Sequence, residues 1–335
     1  MNLLEVQDLR ITLPTARGPV LALRGVSFAL ARGQTLGLIG ESGCGKSITA
    51  LALMGLLPDG AQVQGSVRLD GRDLLGLAED DWCRLRGNRL AMVFQEPMTA
   101  LNPLHPIGRQ IAESLRLHKG LSATAARAEA LRLLQRVQLP QAERRLDAYP
   151  HQLSGGQRQR VVIAIALACG PDLLIADEPT TALDVTIQRE VLDLIHQLVT
   201  DDGMALLLIS HDLGVMAENV QRTLVMYGGS VVENGPTDAV FERLAHPYTR
   251  GLFAARPRLG LRSHAGRRGQ RLATIPGRVP ELADLPAGCA FAERCALALD
   301  ACRSAPPPEL AVGPGHGARC IRLDATRDSD QDAAP

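Results

Sequence analysis

The stretch that decides the fold is GESGCGKS, residues 40–47, which fits the pattern G-x-x-x-x-G-K-[ST]. It follows the apolar run TLGLIG (35–40) and precedes SITALALMGLL (47–57), which has a helical pattern. A glycine-rich turn between a strand and a helix lets backbone N–H groups surround phosphate oxygens, and the start of the helix adds positive partial charge. The segment therefore predicts a nucleotide phosphate-binding loop.

The residues in and after this loop have distinct expected roles. Lys46 is expected to reach the β- and γ-phosphates, and the Ser47 hydroxyl is expected to ligate Mg²⁺. A second apolar run, LLIADE (173–178), places Asp177 where it can hold Mg²⁺ and Glu178 where it can polarise an attacking water. The residues predicted to contact the bound nucleotide are Gly40, Glu41, Ser42, Gly43, Cys44, Gly45, Lys46, Ser47 and Ile48.

Short apolar runs indicate the core of an α/β fold. TLGLIG, LLIADE and ALLLIS (205–210) each end in polar residues or glycine. Such runs predict buried strands of a parallel sheet that is covered by helices on both faces.

Other segments predict the surroundings of this sheet. Residues 3–30 and 63–70 alternate apolar and polar side chains, which favours an antiparallel side sheet. Residues 107–145 are rich in Ala, Leu, Arg and Glu, which predicts a mostly helical insert. The Gly-Gly pair within TLVMYGGSVVENG (223–235) predicts a hairpin.

Composition narrows the class of protein. The chain has 335 residues, of which 46% are hydrophobic, enough for one large domain and a smaller appendage. Thirty-six basic residues balance 36 acidic ones, so net charge gives no reason to expect nucleic acid as a partner. There is no run of 18 apolar residues and no signal-peptide pattern at the N-terminus, which predicts a cytoplasmic protein that docks onto membrane proteins.

The pentapeptide LSGGQ (153–157), which precedes the helical run RQRVVIAIALA, resembles the signature motif of ABC ATPases. The resemblance covers residues 3–255 with the motifs in the family's order, including Gln95 in VFQEP, ALD at 182–184 and His211 in ISHD. It implies a P-loop NTPase cassette with a RecA-like parallel-sheet core, an antiparallel β subdomain and an α-helical subdomain at about 100–165.

The resemblance also implies functional roles. Glu178, His211 and Gln95 are expected to be catalytic, with His211 contacting the γ-phosphate and Gln95 contacting both the water and Mg²⁺. Asp184 is expected to help couple two ATP sites. The signature residues are expected to face ATP held by a second cassette; they are Ser154, Gly155, Gly156 and Gln157.

One departure from the family concerns the base of the nucleotide. Many ABC cassettes stack adenine on an aromatic residue near the end of the first strands. Here no aromatic residue lies between Arg10 and Ser27. Leu13 or Val20 is expected to offer an apolar contact instead.

The carboxyl-terminal region is rich in cysteine. Four of the seven cysteines lie in the last 47 residues, at positions Cys289, Cys295, Cys302 and Cys320. Their separations are longer than the usual C-x2-4-C pairs of zinc sites. Four thiolates can ligate zinc or an iron–sulfur cluster, and the alternative is four unrelated buried thiols.

This region, with HPYT (246–249) and IPGRVP (275–280), resembles that of dipeptide and oligopeptide importer ATPases. The resemblance implies that the four cysteines hold a [4Fe–4S] cluster, with Zn²⁺ as the alternative and His316 as a substitute ligand. It implies an ABC nucleotide-binding domain over 1–255 and a small Cys-rich extension over 256–323. Residues 256–271 are basic and contain glycine, which predicts a linker on a solvated surface, and the polar composition of 324–335 predicts a disordered tail.

The expected function is ATP hydrolysis that drives dipeptide or oligopeptide uptake. The implied partners are a second homologous ATPase subunit, two transmembrane permease subunits and a periplasmic or extracellular solute-binding protein, at the cytoplasmic face of the inner membrane. Nickel chelates and glutathione are alternative solutes. A soluble ABC ATPase acting on DNA or ribosomes and a non-hydrolysing redox sensor are further alternatives. Lys46, Asp177, Glu178 and His211 argue against an inactive cassette.

Overall fold

The computed structural model of the chain describes residues 2–181, 183–255 and 274–325, without the side chains of Pro97 and Met98. The strands are β1 (Asn2–Thr15), β2 (Gly18–Ala31), β3 (Thr35–Ile39), β4 (Gln62–Leu69), β5 (Arg72–Asp73), β6 (Leu90–Val93), β7 (Leu173–Asp177), β8 (Ala205–Ile209), β9 (Arg222–Tyr227), β10 (Ser230–Pro236), β11 (Leu310–Gly313) and β12 (His316–Ala318). The α-helices are α1 (Lys46–Leu53), α2 (Glu79–Leu85), α3 (Pro97–Ala100), α4 (Ile107–Lys119), α5 (Ala123–Arg136), α6 (Ala142–Arg145), α7 (Gly155–Leu167), α8 (Val185–Asp202), α9 (Leu213–Asn219), α10 (Thr237–Arg243), α11 (Pro247–Ala254) and α12 (Asp300–Ser304). Short 3-10 turns lie at Pro150–Gln152, Leu282–Asp284 and Ala292–Arg294.

The central sheet has the strand order β11-β12-β10-β9-β3-β8-β7-β6. β3, β8, β7 and β6 run parallel to one another, and every residue of β3, β7 and β8 is buried. The three apolar runs are therefore buried parallel strands, as the sequence predicts. The carboxyl ends of these strands meet at one edge, where sites of open α/β sheets form.

Both faces of this sheet are covered by apolar side chains. Successive side chains of a strand point to opposite faces, and along β7 Leu173 and Ile175 join one core while Leu174 and Ala176 join the other. One core includes the helices α4, α5 and α7, and the other includes the side sheet and α1. The doubly covered sheet confirms the predicted α/β class.

The side sheet has the order β2-β1-β4-β5 and is antiparallel. It comes from the two alternating segments near the N-terminus, as predicted. The segment 107–145 is also mostly helical, since α4, α5 and α6 lie within it. No helix of the described ranges is long and apolar enough to cross a bilayer.

Residues 274–325 continue the central sheet. β12 pairs antiparallel with β10, and β11 pairs with β12. The predicted hairpin is present as β9 and β10, joined at Gly228 and Gly229, both of which have positive φ. The predicted linker at 256–271 and most of the predicted tail at 324–335 lie outside the described residues, and the domain boundaries stay predictions.

Candidate functional site

The phosphate loop leaves the carboxyl end of β3 and enters α1. Gly40, Gly43 and Gly45 have φ of 155°, 80° and 106°, values that residues with a Cβ rarely adopt. A Cβ at Gly40 would lie 2.3 Å from the Met226 carbonyl oxygen, so the loop also needs glycine there for space. The Lys46 Nζ donates to the carbonyl oxygens of Gly40 at 2.7 Å and Glu41 at 3.2 Å, which holds the ammonium group against the loop.

The cysteine of this loop is turned inward. Cys44 is 1% exposed and packs into the core beneath the loop. Burial raises the pKa of its thiol, which the charge of nearby Lys46 opposes. The side chain is therefore directed into the core, and the predicted contact of Cys44 with nucleotide would come from its backbone.

Asp177 lies beside Ser47, and both are expected to be Mg²⁺ ligands. Asp177 is 5% exposed, and its Oδ1 has no hydrogen-bond partner among the described residues. Burial raises the pKa of Asp177, and a hydrogen bond with Ser47 opposes that rise. A hard cation prefers carboxylate and hydroxyl oxygens. An unpaired buried carboxylate oxygen beside a hydroxyl therefore fits Mg²⁺.

The three residues expected to be catalytic meet at one atom, Glu178 Oε2. Gln95 Nε2 donates to it at 3.3 Å, and His211 Nδ1 lies 3.3 Å away. The backbone of Glu178 has φ of 45°, an uncommon conformation for a residue with a side chain. Strained backbone conformations are common at active sites, and this one directs the carboxylate toward Gln95, which follows β6, and His211, which follows β8.

Thr181 completes this cluster and was not anticipated from sequence. Its Oγ1 donates to Glu178 Oε2 at 2.8 Å, the shortest of the three contacts. The signal for it was local: Thr181 follows Glu178 by three residues, and its backbone N–H bonds back to the Glu178 carbonyl oxygen at 3.3 Å in a turn.

The signature residues begin helix α7. Ser154 is the N-cap: its Oγ accepts from Gln157 N at 3.4 Å, and Gln157 Oε1 accepts from Ser154 N at 3.2 Å. This reciprocal capping box fixes the start of a 13-residue helix. Arg145 also donates to Gln157, at 2.9 Å. In the described part of the chain, the hydrogen bonds of Ser154 and Gln157 stay within this region and do not reach the phosphate loop.

The two residues proposed to contact adenine are neighbours. Leu13 and Val20 are directly opposite each other across β1 and β2. Both are half-buried, so the pair forms a small apolar surface near the turn between these strands.

The four carboxyl-terminal cysteines line one cavity. Cys289, Cys295, Cys302 and Cys320 share it with His246. Burial raises the pKa of the Cys289 and Cys295 thiols and raises that of Cys320 to about 11. Within the described residues, no group of three or more His, Cys, Asp or Glu side chains has the geometry of a metal-ion site. The donors of the predicted set are thus together, but not in a ligating arrangement.

His316, the suggested substitute ligand, is engaged elsewhere. Its Nε2 lies 2.9 Å from Oε1 of Glu233, a carboxylate that is fully buried on β10. Glu233 also accepts from the backbone N–H groups of Ala245 and His246, each at 2.8 Å. His316 is not among the residues that line the cysteine cavity.

Known proteins agree with these observations. The chain matches the family description ABC transporter over residues 23–181, and the oligopeptide/dipeptide transporter C-terminal region over residues 232–302. It is 50% identical to a Brucella melitensis protein named as a peptide import ATP-binding protein, over 96% of this chain and 97% of that one. It is 47% identical to the oligopeptide transport ATP-binding protein OppD of Salmonella typhimurium, over 96% of this chain and 93% of OppD.

A solved structure supports the same assignment. The dimeric structure of the ATP-binding cassette MJ0796 bound to ADP and Pi superposes with a TM-score of 0.63 and 28% identity, covering 70% of this chain and 98% of that one. Together with the phosphate loop, the Glu178 cluster and the capped signature helix, these relationships place the chain in a family. It belongs to the ABC transporter ATP-binding proteins, and its carboxyl-terminal region to the oligopeptide/dipeptide transporter type.

Proposed function

We propose that ATP hydrolysis by this chain drives the import of dipeptides or oligopeptides through membrane permease subunits. The observation that carries the ATPase assignment is the convergence of Gln95, Thr181 and His211 on Glu178 Oε2, next to Asp177. Support for a peptide cargo comes from the match of residues 232–302 and from the names of its relatives.

In the proposed mechanism Glu178 is the catalytic base. Its carboxylate accepts a proton from the water that attacks the γ-phosphate, and the amide of Gln95 and hydroxyl of Thr181 hold Oε2 in place. The imidazole of His211 then donates a hydrogen bond to the γ-phosphate and so stabilises the charge there. A positioned base of this kind typically contributes ~10²–10⁴-fold in rate.

The phosphate loop and α1 supply the electrostatic stabilisation of the phosphates in this mechanism. Lys46 and the N-terminal end of α1 stabilise the negative charge of the β- and γ-phosphates. Ser47, Asp177 and Gln95 would hold Mg²⁺, which supplies charge neutralisation between the phosphates when bound. For the adenine, the opposed Leu13 and Val20 side chains offer an apolar surface.

The exposed start of the signature helix supports the proposal that the working unit contains two cassettes. Ser154 is exposed at the start of α7, so the positive end of this helix is open to an anion from outside the chain. We propose that it binds the γ-phosphate held by a second, homologous cassette, and that two permeases bring both cassettes to the cytoplasmic face of the inner membrane. A solute-binding protein would deliver the peptide.

For the cysteine cavity we propose a [4Fe–4S] cluster, with Zn²⁺ as the alternative. The support is the donor set, because four thiols around one cavity are the ligands such a cluster requires. The cluster would provide a redox-active group at this position. Cys295→Ser should remove absorbance near ~400 nm and most of the iron, whereas Cys83→Ser, at an exposed cysteine on α2, should remove neither. Stoichiometric zinc without iron in the wild-type protein would refute the cluster.

Uptake in cells tests the cargo. A strain that lacks this chain should lose uptake of labelled di- and oligopeptides, and the wild-type chain should restore uptake while Glu178→Gln should not. Uptake of nickel and of glutathione should be unchanged. Loss of nickel or glutathione uptake with normal peptide uptake would assign the other cargo, and no loss of any solute would argue against a transport role.

A further inference from the structure

Arg294 connects the cysteine-rich region to the phosphate loop. It precedes Cys295 directly and ends the 3-10 turn Ala292–Arg294. Its guanidinium donates to both carboxylate oxygens of Glu41, at 2.6 Å from Nη1 and 3.1 Å from Nη2. Glu41 is the second residue of the loop, 253 positions away in sequence.

This ion pair is unlike the surface pairs of the chain. The Arg294 side chain is only 5% exposed, whereas Arg303, in the same region, is 47% exposed in its pair with Glu293. The fork of Arg294 is further fixed because Nε donates to the Pro276 carbonyl oxygen at 2.9 Å. The Glu41 side chain is 28% exposed, so the arginine is the buried partner of this pair. A bidentate pair with a buried arginine is both stronger and more precise in geometry than a pair of exposed side chains.

A second contact reaches the same loop residue. The backbone N–H of Glu41 donates to Tyr248 Oη at 2.8 Å. Tyr248 is fully buried and packs against Phe291, with ring centroids 5.3 Å apart, and Phe291 lines the cysteine cavity. Both the side chain and the backbone N–H of Glu41 are therefore held by residues adjoining that cavity.

The position of Glu41 bears on the ATP site itself. Its carbonyl oxygen accepts from Lys46 Nζ at 3.2 Å, and Gly40, its neighbour, accepts from the same ammonium group at 2.7 Å. A shift of Glu41 would thus move the backbone that surrounds the phosphates and the lysine that contacts them.

We propose that Arg294 is a positioning residue of the phosphate loop, through which the conformation of the region 289–320 sets the affinity for ATP. Arg294 does not touch ATP. It holds Glu41, and so transmits changes around the four cysteines to the loop. The proposal rests on ATP binding at this loop and is independent of the transported solute and of what the cysteines bind.

The first test measures ATP affinity directly. Full-length protein is titrated with a fluorescent ATP analogue at a temperature well below unfolding, for wild type, Arg294→Gln, Arg294→Lys and the control Arg303→Gln. Arg294→Gln should weaken binding about tenfold, which corresponds to ~1.4 kcal/mol. Arg294→Lys should recover only part of the affinity because an ammonium group cannot reproduce the bidentate fork. Arg303→Gln should bind like wild type.

Affinity equal to wild type in folded Arg294→Gln overturns the proposal, as does an equal loss in Arg303→Gln. If Arg294→Gln does not fold, Arg294→Lys and Glu41→Gln keep the test open, since each weakens the same pair while retaining size. A wild-type chain that fails to bind the analogue would instead contradict the ATPase assignment, so the two failures are distinguishable.

The second test asks whether the cysteine region acts through Arg294. Cys295→Ser should weaken ATP binding in the wild-type background and should have little further effect in the Arg294→Gln background, because both remove one pathway. Cys83→Ser is the matched control, and it should leave the affinity for ATP unchanged in both the wild-type and the Arg294→Gln backgrounds. Unchanged binding in Cys295→Ser, or losses that simply add in the double variant, would refute coupling between this region and the loop.

Discussion

Replacing Asp177 with asparagine should stabilise the nucleotide-free protein while destroying its activity. Asp177 is 5% exposed, and one of its carboxylate oxygens has no hydrogen-bond partner among the described residues. Burial raises the pKa of Asp177, the adjacent charge of Glu178 adds to the rise, and Ser47 and Lys46 only partly oppose it. The charged form is therefore disfavoured by folding, as at many active sites.

The magnitude follows from these opposing effects. Asparagine keeps buried polar atoms but removes the buried negative charge, which costs more to bury than a neutral group. Loss of the attraction to Lys46 offsets part of this gain, so we expect Asp177→Asn to add about 1 kcal/mol. With an unfolding entropy of about 2.1 cal/mol/K per residue over 335 residues, this corresponds to a melting temperature about 1–2 °C higher. Steady-state ATPase activity should fall to background because the Mg²⁺ ligand is lost.

Asp172 provides a matched control at the other end of the same strand, since it precedes β7. Burial raises the pKa of Asp172, but hydrogen bonds and charges from Arg32 and Arg89 outweigh this and hold the pKa below its ordinary value. Arg32 lies 2.6 Å from one carboxylate oxygen and Arg89 lies 2.6 Å from the other. Asp172→Asn should therefore lower the melting temperature at pH 7.

The effects of the two variants on stability should be opposite in sign at pH 7, and both should shrink on acidification. In the wild type, protonation of Asp177 relieves the penalty of burial, so the advantage of Asp177→Asn should shrink as pH falls through the raised pKa. The depressed pKa of Asp172 contributes stability that is present above its unfolded value and lost on acidification, so the deficit of Asp172→Asn should shrink in acid as well. Thermal melts without nucleotide from pH 7 to pH 4 measure both trends. A lower melting temperature for Asp177→Asn at pH 7 would refute the reasoning.

Three further variants test the loop and the catalytic cluster. Gly40→Ala places a Cβ 2.3 Å from the Met226 carbonyl oxygen and should abolish ATP binding in nucleotide titrations. In Gly43→Ala the added Cβ has no atom within 4 Å, so only the positive φ of 80° is unfavourable, and the variant should lose about 1–2 kcal/mol of stability in a denaturant melt. Equal losses of stability and of ATP binding in the two glycine variants would contradict the steric explanation. Thr181→Val removes the 2.8 Å hydrogen bond to Glu178 and should lower kcat about tenfold with ATP affinity unchanged, so an unaltered kcat would remove Thr181 from the cluster.

Local patterns predict the elements of this chain well. Each of the three apolar runs forms a five-residue buried parallel strand, because apolar side chains on both faces of a strand are buried only when both faces of the sheet are covered. The helix predicted after LSGGQ is also fixed locally, since the capping box at its start is a contact between residues three apart.

Contacts between distant residues were predictable only in part. Family order indicated that Gln95, Glu178 and His211 act together, but not that all three meet at one oxygen atom. The pairing of Arg294 with Glu41 has no local signal, because it depends on how the carboxyl-terminal region folds back over the sheet.

The edge strands show the same limit. β11 (LAVG) and β12 (HGA) are too short for a detectable alternation, and their place in the sheet comes from pairing with β10. Cysteine spacing indicated that four thiols could cluster, and they do line one cavity. The spacing in sequence cannot give the separations between the sulfur atoms, and these separations decide whether zinc or an iron–sulfur cluster is bound.

The most direct test of the central claim is ATP turnover by Glu178→Gln in the assembled transporter. Glutamine keeps the size of the side chain and its place beside Gln95, Thr181 and His211, but it cannot accept a proton from water. We predict that turnover falls to background while ATP still binds and the cassettes still close. Normal ATPase activity in this variant would contradict the assignment of Glu178 as the catalytic base.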